Sequence, residues 1–341
     1  MPTIGNLAVT FNDLRKRQAP DGAIDKVIEI LQQSNPVMED IRWAQGNLPT
    51  GNQTTQRNGL PEIHLRQINR GVKPSKSSTK QVVDTCCLLE ARSKVDVALA
   101  NMQPDPAAFR ASEDKAFVEA MGEKVASYIF YGDSMKNMDE FNGLSVRYGE
   151  YGGEKHDASY QDINEGGPGK WNLSSAYLVG CGPKRAIGSY PNISYAGLRR
   201  EDKGVEKVID SDGGEYDAYT TLFTWMPGLA IKDPEMVAAV RNIDLGALSG
   251  DKATMAQKKN VVDSMIRAQG RMRRLTGDVK PVWYVSPELY TFLTLYLNDK
   301  NNVYITRKEL ADGIPILAVN GIIVKKEDAL LDTEDAVAEK K

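Results

Sequence analysis

Apolar side chains recur at helical spacing in several stretches of the chain, and the longest of these covers about residues 107–131. A proline at Pro106 precedes that stretch and Gly132 follows it, so the pattern predicts one long helix that ends at a glycine. A second long helix is predicted over about 254–274. A third, to about residue 297, begins at Ser286, where a Ser-Pro-Glu sequence favours a helix start.

Short apolar runs between turn residues predict β-strands. These runs cover residues 81–89, 176–179, 207–209, 219–225, 282–285, 314–317 and 322–324. Residues 132–170 are polar and rich in glycine, and they are predicted as turns and loops. The mixture of separate helices and strands, without a visible internal repeat, favours the α+β class.

A polar run at 53–57 and an alternating run at 62–70 flank the hairpin-type dipeptide Asn58-Gly59. This pattern predicts a hairpin with one thin apolar stripe formed by Ile63, Leu65 and Ile68. A two-stranded hairpin is marginally stable alone in water. We therefore expect it to lie on another surface, in the same chain or in a neighbouring one. A loose surface loop is the alternative that composition alone leaves open.

The N-terminal part of the chain contains a short amphipathic stretch over residues 23–33, which stops at Asn35-Pro36. Its apolar positions at helical spacing are Ile24, Val27, Ile28 and Leu31. Because nothing nearby in the sequence would cover this face, we expect an arm that docks elsewhere.

The length of 341 residues suggests two or three domains, at roughly 100–200 residues each. The chain has 43 basic and 46 acidic residues and a formal net charge of −3. This balance argues against a dedicated duplex-DNA-binding protein, which usually carries a basic excess. The N-terminus lacks a basic region followed by an apolar one, so no signal peptide is expected. The longest apolar stretch, 314–324, is shorter than the ~18–20 residues of a membrane helix.

The sequence offers few residues that could form a catalytic, metal or phosphate site. The chain has two histidines and three cysteines, without paired metal-ligand spacing, so we expect no metal and no cofactor. The glycine turn at 180–182 is followed by Pro183, which removes an N–H that a phosphate cradle would use. The acidic residues near the C-terminus are predicted as solvated charge; they are Asp328, Asp332, Glu334 and Asp335. No active site is expected.

The order of elements and a set of ordered motifs resemble one known family. The motifs are NPVMEDIRW at 35–43, GNLPTG at 46–51, RNGLP at 57–61, NRGV at 69–72, FNGL at 141–144, YLVGCGP at 177–183, WMPGL at 225–229, RNID at 241–244, YVSPEL at 284–289, GIPI at 313–316 and DALLDTE at 328–334. Together they resemble the major capsid protein of tailed phages with the Hong Kong 97 fold, in the epsilon-15-like short-tailed branch. The resemblance covers roughly residues 30–335.

The resemblance implies a domain organisation. The expected parts are an N-arm at 1–45, an extended E-loop hairpin at 46–76, a P-domain at 77–145 with a spine helix at about 107–131, an A-domain at 146–312, and C-terminal strands at 313–341 that return toward the P-domain and end in a charged tail.

The resemblance also implies a structural function, and no enzyme. The expected assembly is an icosahedral shell of pentamers and hexamers that encloses phage double-stranded DNA. The protein is expected in the virion, after synthesis in the host bacterial cytoplasm. Expected partners are further copies, portal, scaffold and decoration proteins, and packaged DNA contacted non-specifically, without a membrane. The alternative is an encapsulin-like nanocompartment shell that holds a cargo enzyme; an enzyme with an unrecognised site is the third.

Three sets of residues are expected to carry assembly. The inter-subunit hairpin set is Arg57, Ile63, Leu65, Arg66 and Ile68, and the arm set is the four apolar residues of the 23–33 helix. Gly46, Gly51 and Gly71 are expected to act as flexible hinges. Some relatives cross-link a hairpin lysine to a neighbour's asparagine. This chain has no lysine between Lys26 and Lys73, so we expect non-covalent assembly.

Overall fold

The computed structural model describes the chain over residues 33–153, 157–166, 172–182, 185–209, 213–249, 255–272, 279–297, 305–309 and 315–340. The α-helices are α1 Val37–Asp40, α2 Val97–Asn101, α3 Pro106–Tyr131, α4 Leu144–Arg147, α5 Ala158–Gln161, α6 Leu245–Ser249, α7 Met255–Arg271 and α8 Pro287–Leu297. A short 3-10 helix covers Pro234–Met236.

The β-strands belong to several separate sheets. They are β1 Trp43–Gln45, β2 Gly51–Gly59, β3 Ser78–Thr85, β4 Leu89–Asp96, β5 Glu150–Tyr151, β6 Asp162–Asn164, β7 Leu173–Cys181, β8 Ala186–Tyr190, β9 Arg199–Ile209, β10 Glu215–Trp225, β11 Gly228–Ile231, β12 Val237–Asp244, β13 Lys280–Val285, β14 Ile305–Glu309, β15 Pro315–Val319, β16 Ile322–Lys326 and β17 Ala338–Glu339.

The described residues form two compact units that are each built from separate stretches of chain. Unit 1 contains Leu88–Val125 and Gly197–Pro227, and unit 2 contains Ser34–Cys87, Ala126–Ala196 and Gly228–Lys341. The long helix α3 contributes its residues up to Val125 to unit 1 and the remainder to unit 2.

Unit 1 is an antiparallel sheet in the order β4-β10-β9 with most of the long helix. The helix begins where the Asp105 carboxylate accepts hydrogen bonds from the backbone N–H groups of Ala107 and Ala108, both at 3.0 Å. On the sheet side, the ring of Phe117 stacks on Phe223 with centroids 6.0 Å apart. Arg200 donates to Asp114 at 2.6 Å and so joins β9 to the helix.

Unit 2 is organised around a ten-stranded mixed sheet whose main path is β1-β8-β7-β13-β16-β15-β14. Alternate residues of a strand point to opposite faces, and the central strands are buried on both. On one face, Leu178 and Trp283 join the core formed with α7 and α8. On the other face, Phe130 of α3 packs on Tyr177 and Tyr284, with ring centroids 5.6 and 6.2 Å apart.

Several predicted elements are confirmed. The long helix lies at Pro106–Tyr131, the second at Met255–Arg271 and the third at Pro287–Leu297. The strands expected at 282–285 and 322–324 lie within Lys280–Val285 and Ile322–Lys326.

The predicted hairpin register is wrong. Asn58-Gly59 is not its turn, because Gly59 still pairs with Ser78, and the partner of β2 is Ser78–Thr85. Residues 60–77 form the connecting loop, and the strand expected at 62–70 is absent. An alternating run becomes a strand only when a partner strand and a covering surface are available, and the described part of the chain supplies neither to 62–70.

One further expectation fails. The 132–170 stretch is not only loop, because it contains α4, β5, α5 and β6. The compact units of the structure are not contiguous in sequence, since Gly197–Pro227 belongs with Leu88–Val125. Sheet pairing between β4 and β10 joins residues more than 100 positions apart, and local patterns carry no information on such pairing. The assignment of capsid domains itself stays a prediction.

Candidate assembly interface

The β2–β3 ribbon carries the most exposed stretch of the described chain. The two strands pair antiparallel from Gly51 opposite Thr85 to Gly59 opposite Ser78. Beyond them, every residue from 62 to 76 is exposed. The loop has few internal contacts; the Ser75 hydroxyl donates to the Glu62 carbonyl at 2.7 Å, and Arg66 Nε donates to the Arg70 carbonyl at 3.1 Å.

Large apolar side chains of this loop lie in solvent. The exposed fractions are 88% for Ile63, 102% for Leu65 and 91% for Ile68, and Leu60 is similarly exposed. Isolated exposed apolar residues are common, but a contiguous set marks an interaction surface. Arg66 is exposed in the same loop and Arg57 on β2. The structure thus brings the expected hairpin residues together, with the apolar ones on a loop rather than a strand.

The base of the ribbon, by contrast, is fixed by hydrogen bonds within unit 2. The Asn47 side chain accepts from Gln53 N at 2.6 Å and donates to Gln53 O at 2.8 Å. The Gln56 amide donates to the carbonyls of Ile231 and Lys232, at 3.2 and 3.1 Å. These hydrogen bonds attach β2 to the turn before it and to the end of β11, so the ribbon base has a defined direction.

A buried ion pair reinforces that base. Asp84 of β3 is 1% exposed, and its carboxylate lies 2.6 Å from Arg147 Nη1. Arg147 also donates to the carbonyls of Asn142 and Leu229, each at 3.0 Å. A buried pair with this many hydrogen bonds fixes geometry, and losing one partner would leave the other charge uncompensated. Sequence reasoning missed this pair, because no local pattern links residues 84 and 147.

The glycines expected as hinges differ in their surroundings. A Cβ on Gly46 would lie 2.1 Å from Gly51 O, and one on Gly51 would lie 2.0 Å from Asp84 O. These two glycines therefore allow a close backbone approach in a packed base, so their hinge role is not supported. Gly71 has nothing within 4 Å of the position of a Cβ, and its hinge role stays a prediction.

The junction of the N-terminal arm is attached to the C-terminal part of the chain. Val37 N donates to the buried Glu327 carboxylate at 3.0 Å, and Asp40 accepts from Lys325 Nζ at 2.6 Å. Ser34 and Asp328 exchange two further hydrogen bonds. Burial, with smaller contributions from the nearby Asp328 and Asp40, raises the pKa of Glu327 to about 8. The arm-helix residues Ile24, Val27, Ile28 and Leu31 lie outside the described residues.

The C-terminal segment contains a second buried network, which contradicts the prediction of solvated charge for Glu334. Its carboxylate accepts from Tyr131 OH at 2.5 Å and from the Ser175 hydroxyl, and it lies 3.4 Å from Arg241 Nη2. Burial, followed by the charge of Glu334, raises the pKa of Tyr131 well above its usual range. The network holds the C-terminal segment against the large sheet.

Nucleophile and metal chemistry find no support among the described residues. Burial raises the pKa of Cys87 and Cys181 to about 12 and also raises that of Cys86, so the thiolates that would react are scarce. His64 is exposed beside Glu62, and His156 lies outside the described residues. No group of three or more His, Cys, Asp or Glu in the described part of the chain is placed to hold a metal ion. No described helix is long and apolar enough to cross a membrane.

Comparisons with known proteins agree with the fold. A family model described as Major capsid protein GP7 matches residues 19–338. The structure of bacteriophage epsilon15 is similar with 26% identity and a TM-score of 0.75, over 100% of both chains. The capsid of bacteriophage JBD30 is 11% identical with a TM-score of 0.50, over 94% of this chain and 99% of that one, and shows the fold alone. No curated protein matches the chain.

A nanocompartment shell is also similar, though weakly. The holo-SrpI encapsulin complex from Synechococcus elongatus PCC 7942 is 10% identical over 70% of this chain and 97% of that chain, with a TM-score of 0.40. A likeness at that level carries no argument for cargo storage.

The sequence expectations of a capsid fold, a phage shell role and a non-enzymatic function are thus confirmed by the family match together with the epsilon15 likeness. The chain belongs to the Major capsid protein GP7 family and is a tailed-phage major capsid protein of the epsilon15-like type, a structural component of the virion that assembles with further copies of itself.

Proposed function

We propose that the exposed loop at 60–77 is the element by which each subunit engages a neighbour, so that subunits form pentamers and hexamers of an icosahedral shell around phage double-stranded DNA. The observation that carries this proposal is the exposure of four large apolar side chains in one loop at the end of a fixed ribbon: Leu60, Ile63, Leu65 and Ile68. Covering such a surface lowers the free energy, and in an assembly a neighbouring subunit can cover it.

The energies suit a reversible contact. Fully burying one large aliphatic side chain contributes about 1.5–3 kcal/mol. Ordering the loop residues costs backbone entropy, which opposes this gain. One loop contact is therefore weak. Repetition around a closed ring then makes the assembly strong, because each later contact forms at a high effective concentration.

The contrast between base and loop also suits a shell in which neighbouring subunits meet at different angles. The ribbon base is fixed by Asp84 and Arg147, whereas the loop contains Gly71 in open space. Angular differences between pentamers and hexamers would be taken up in the loop, while the body of the subunit keeps one structure.

We propose that these contacts are non-covalent. The loop extends to residue 77 and therefore contains Lys73 and Lys76 on its returning limb. Its outgoing limb and tip, 60–72, contain no lysine. Mature shells boiled in denaturing buffer should run as single 37.6 kDa subunits; a covalent ladder would contradict this.

The wider partners belong to the same proposal. Portal, scaffold and decoration proteins would meet the shell, and packaged DNA would be contacted without sequence preference, in keeping with a formal net charge of −3. Synthesis would take place in the cytoplasm of the bacterial host. The arm at 1–45 would contribute a second contact between subunits.

The test replaces one apolar side chain of the loop by a charge. Ile68→Asp should leave the subunit folded, because the side chain is 91% exposed, and should prevent closed shells, because a charge cannot be buried cheaply against a neighbour. Ile193→Asp is the matched control, since Ile193 is also a highly exposed isoleucine of unit 2. Negative-stain microscopy and sedimentation give the readout. Normal particles from Ile68→Asp would refute loop-driven assembly.

A further inference from the structure

A groove at the C-terminal segment is a surface feature of unit 2 that the proposed function does not use. It has a volume of about 510 Å³ and lies between the end of α3, the turn before β5 and residues 331–338. Its floor is the Glu334 network, which includes Tyr131 and Arg241. Because these floor groups already pair with each other, their side chains have fixed positions and the floor has a defined shape.

The walls of the groove are also fixed by hydrogen bonds. Asn242 donates to Val337 O at 3.0 Å and accepts from Val337 N at 2.8 Å, as in a strand pair. Glu334 N donates to Leu173 O at 2.8 Å. These hydrogen bonds fix the segment 331–338 against the sheet, so the groove keeps its shape.

The rim of the groove combines carboxylates with exposed apolar groups. Four carboxylates and two basic groups line it, and the Glu150 and Asp335 side chains are exposed at its edge. Leu331 is 50% exposed on the lining, and the adjoining 133–140 turn exposes Met135 and Met138. The groove thus offers negative charge next to uncovered apolar surface.

The loop at 60–77 has the complementary composition. It carries four basic residues and one acidic residue, and its basic groups begin with Arg66 and Arg70 between the exposed apolar side chains. Every residue from 62 to 76 is exposed, so this loop does not occupy the groove of its own chain. Half of an 18-residue loop spans at most about 30 Å, which allows its tip to reach an adjoining subunit.

From these two surfaces we infer that the groove is the receptor for the loop of a second copy of this chain, with Arg66 and Arg70 beside Glu150 and Asp335 and the loop's apolar side chains against Leu331 and the two methionines. This inference rests on the proposed function of the loop and adds the surface that receives it. Charge pairs of this kind select partner and register more than they add affinity.

The experiment is a charge exchange in the full-length chain. One variant combines Glu150→Lys with Asp335→Lys in the groove, a second combines Arg66→Glu with Arg70→Glu in the loop, and a third carries all four changes. All four side chains are exposed, and circular dichroism with thermal melting checks that each subunit folds. A charge-matched control carries Asp217→Lys and Glu288→Lys, at exposed positions outside the groove.

Shell yield, by sedimentation, decides the outcome. The groove variant and the loop variant should each lose at least about tenfold in yield, and the fourfold variant should recover most of it, whereas the control should assemble normally. If the loop variant fails but the groove variant assembles normally, the loop docks elsewhere: the inference is overturned and the proposed function survives. If the loop variant itself assembles normally, the proposed function is overturned as well.

Discussion

The loop at 60–77 and the C-terminal segment at 327–340 are both irregular stretches with many polar residues, yet they have opposite environments. The loop exposes its apolar side chains, while the C-terminal segment buries Glu327 and Glu334. The two environments differ because the groups that contact each segment lie in different places. The partners of the C-terminal segment, such as Arg241 and Ser175, belong to the same unit, whereas the partner of the loop is a second copy under our proposal.

This comparison predicts that substitutions at packed contacts, in the C-terminal segment and at the ribbon base, change the stability of the single subunit, whereas substitutions in the loop affect only assembly. Measurements of subunit stability test the comparison, from the largest expected effect to the smallest.

Glu334→Ala should destabilise the subunit by about 3–5 kcal/mol, because it leaves Arg241 charged and buried without its carboxylate. The neighbouring Asp335→Ala is the control and should change stability by less than about 0.5 kcal/mol, because Asp335 is exposed. Urea unfolding of soluble subunits measures both. Equal effects of the two variants would show that the Glu334 network does not hold the segment.

Gly51→Ala should destabilise the subunit by about 3 kcal/mol, because its Cβ would lie 2.0 Å from Asp84 O and the residue has φ +155°. Gly71→Ala has open space around it and should change the free energy of unfolding by less than about 0.5 kcal/mol. The same unfolding assay separates the packed base from the loop. A tolerated Gly51→Ala would contradict the close approach at the base.

Glu327→Gln should stabilise the subunit relative to the parent, by an amount that grows as the pH rises from about 4.5 to about 8. The carboxyl has an ordinary pKa of 4.5 and a folded-state pKa of about 8. Between these values the unfolded chain releases the proton that the folded chain retains, so the stability of the parent falls as the pH rises. Glutamine keeps an acceptor for Val37 N and cannot ionise. Thermal melts should coincide at pH 4.5, diverge through neutral pH and favour Glu327→Gln most strongly at pH 9.

The exposed Glu288→Gln serves as the control for that prediction, because it removes a carboxylate that is not buried. Parallel pH profiles for the parent and Glu327→Gln would show that Glu327 is already ionised in the folded subunit at neutral pH.

The regular elements of this fold were predictable from local pattern. The long helix Pro106–Tyr131 has apolar side chains at helical spacing, a capping Asp105 before Pro106 and a glycine at its end. Strand Lys280–Val285 and the helix after it follow from a buried apolar run and the Ser-Pro-Glu start. In these stretches local preference and tertiary packing agree, and so the spacing was sufficient.

The assembly surface was predictable in its residues but not in its geometry. Ile63, Leu65 and Ile68 alternate as a strand would, but a strand forms only against a partner, and Ser78–Thr85 pairs with β2 instead. The buried roles of Glu334 and Glu327 were missed for a related reason. Charged residues near the end of a chain are usually solvated, and the partners that bury these two lie tens to hundreds of residues away in sequence.

The central claim is that another subunit covers the loop at 60–77. Amide hydrogen exchange, measured on free subunits and on assembled shells, tests it most directly. The account predicts fast exchange across 60–77 in free subunits and exchange slowed at least about tenfold in shells, with little change at the ribbon base. Exchange at 60–77 that is equally fast in both states would contradict it.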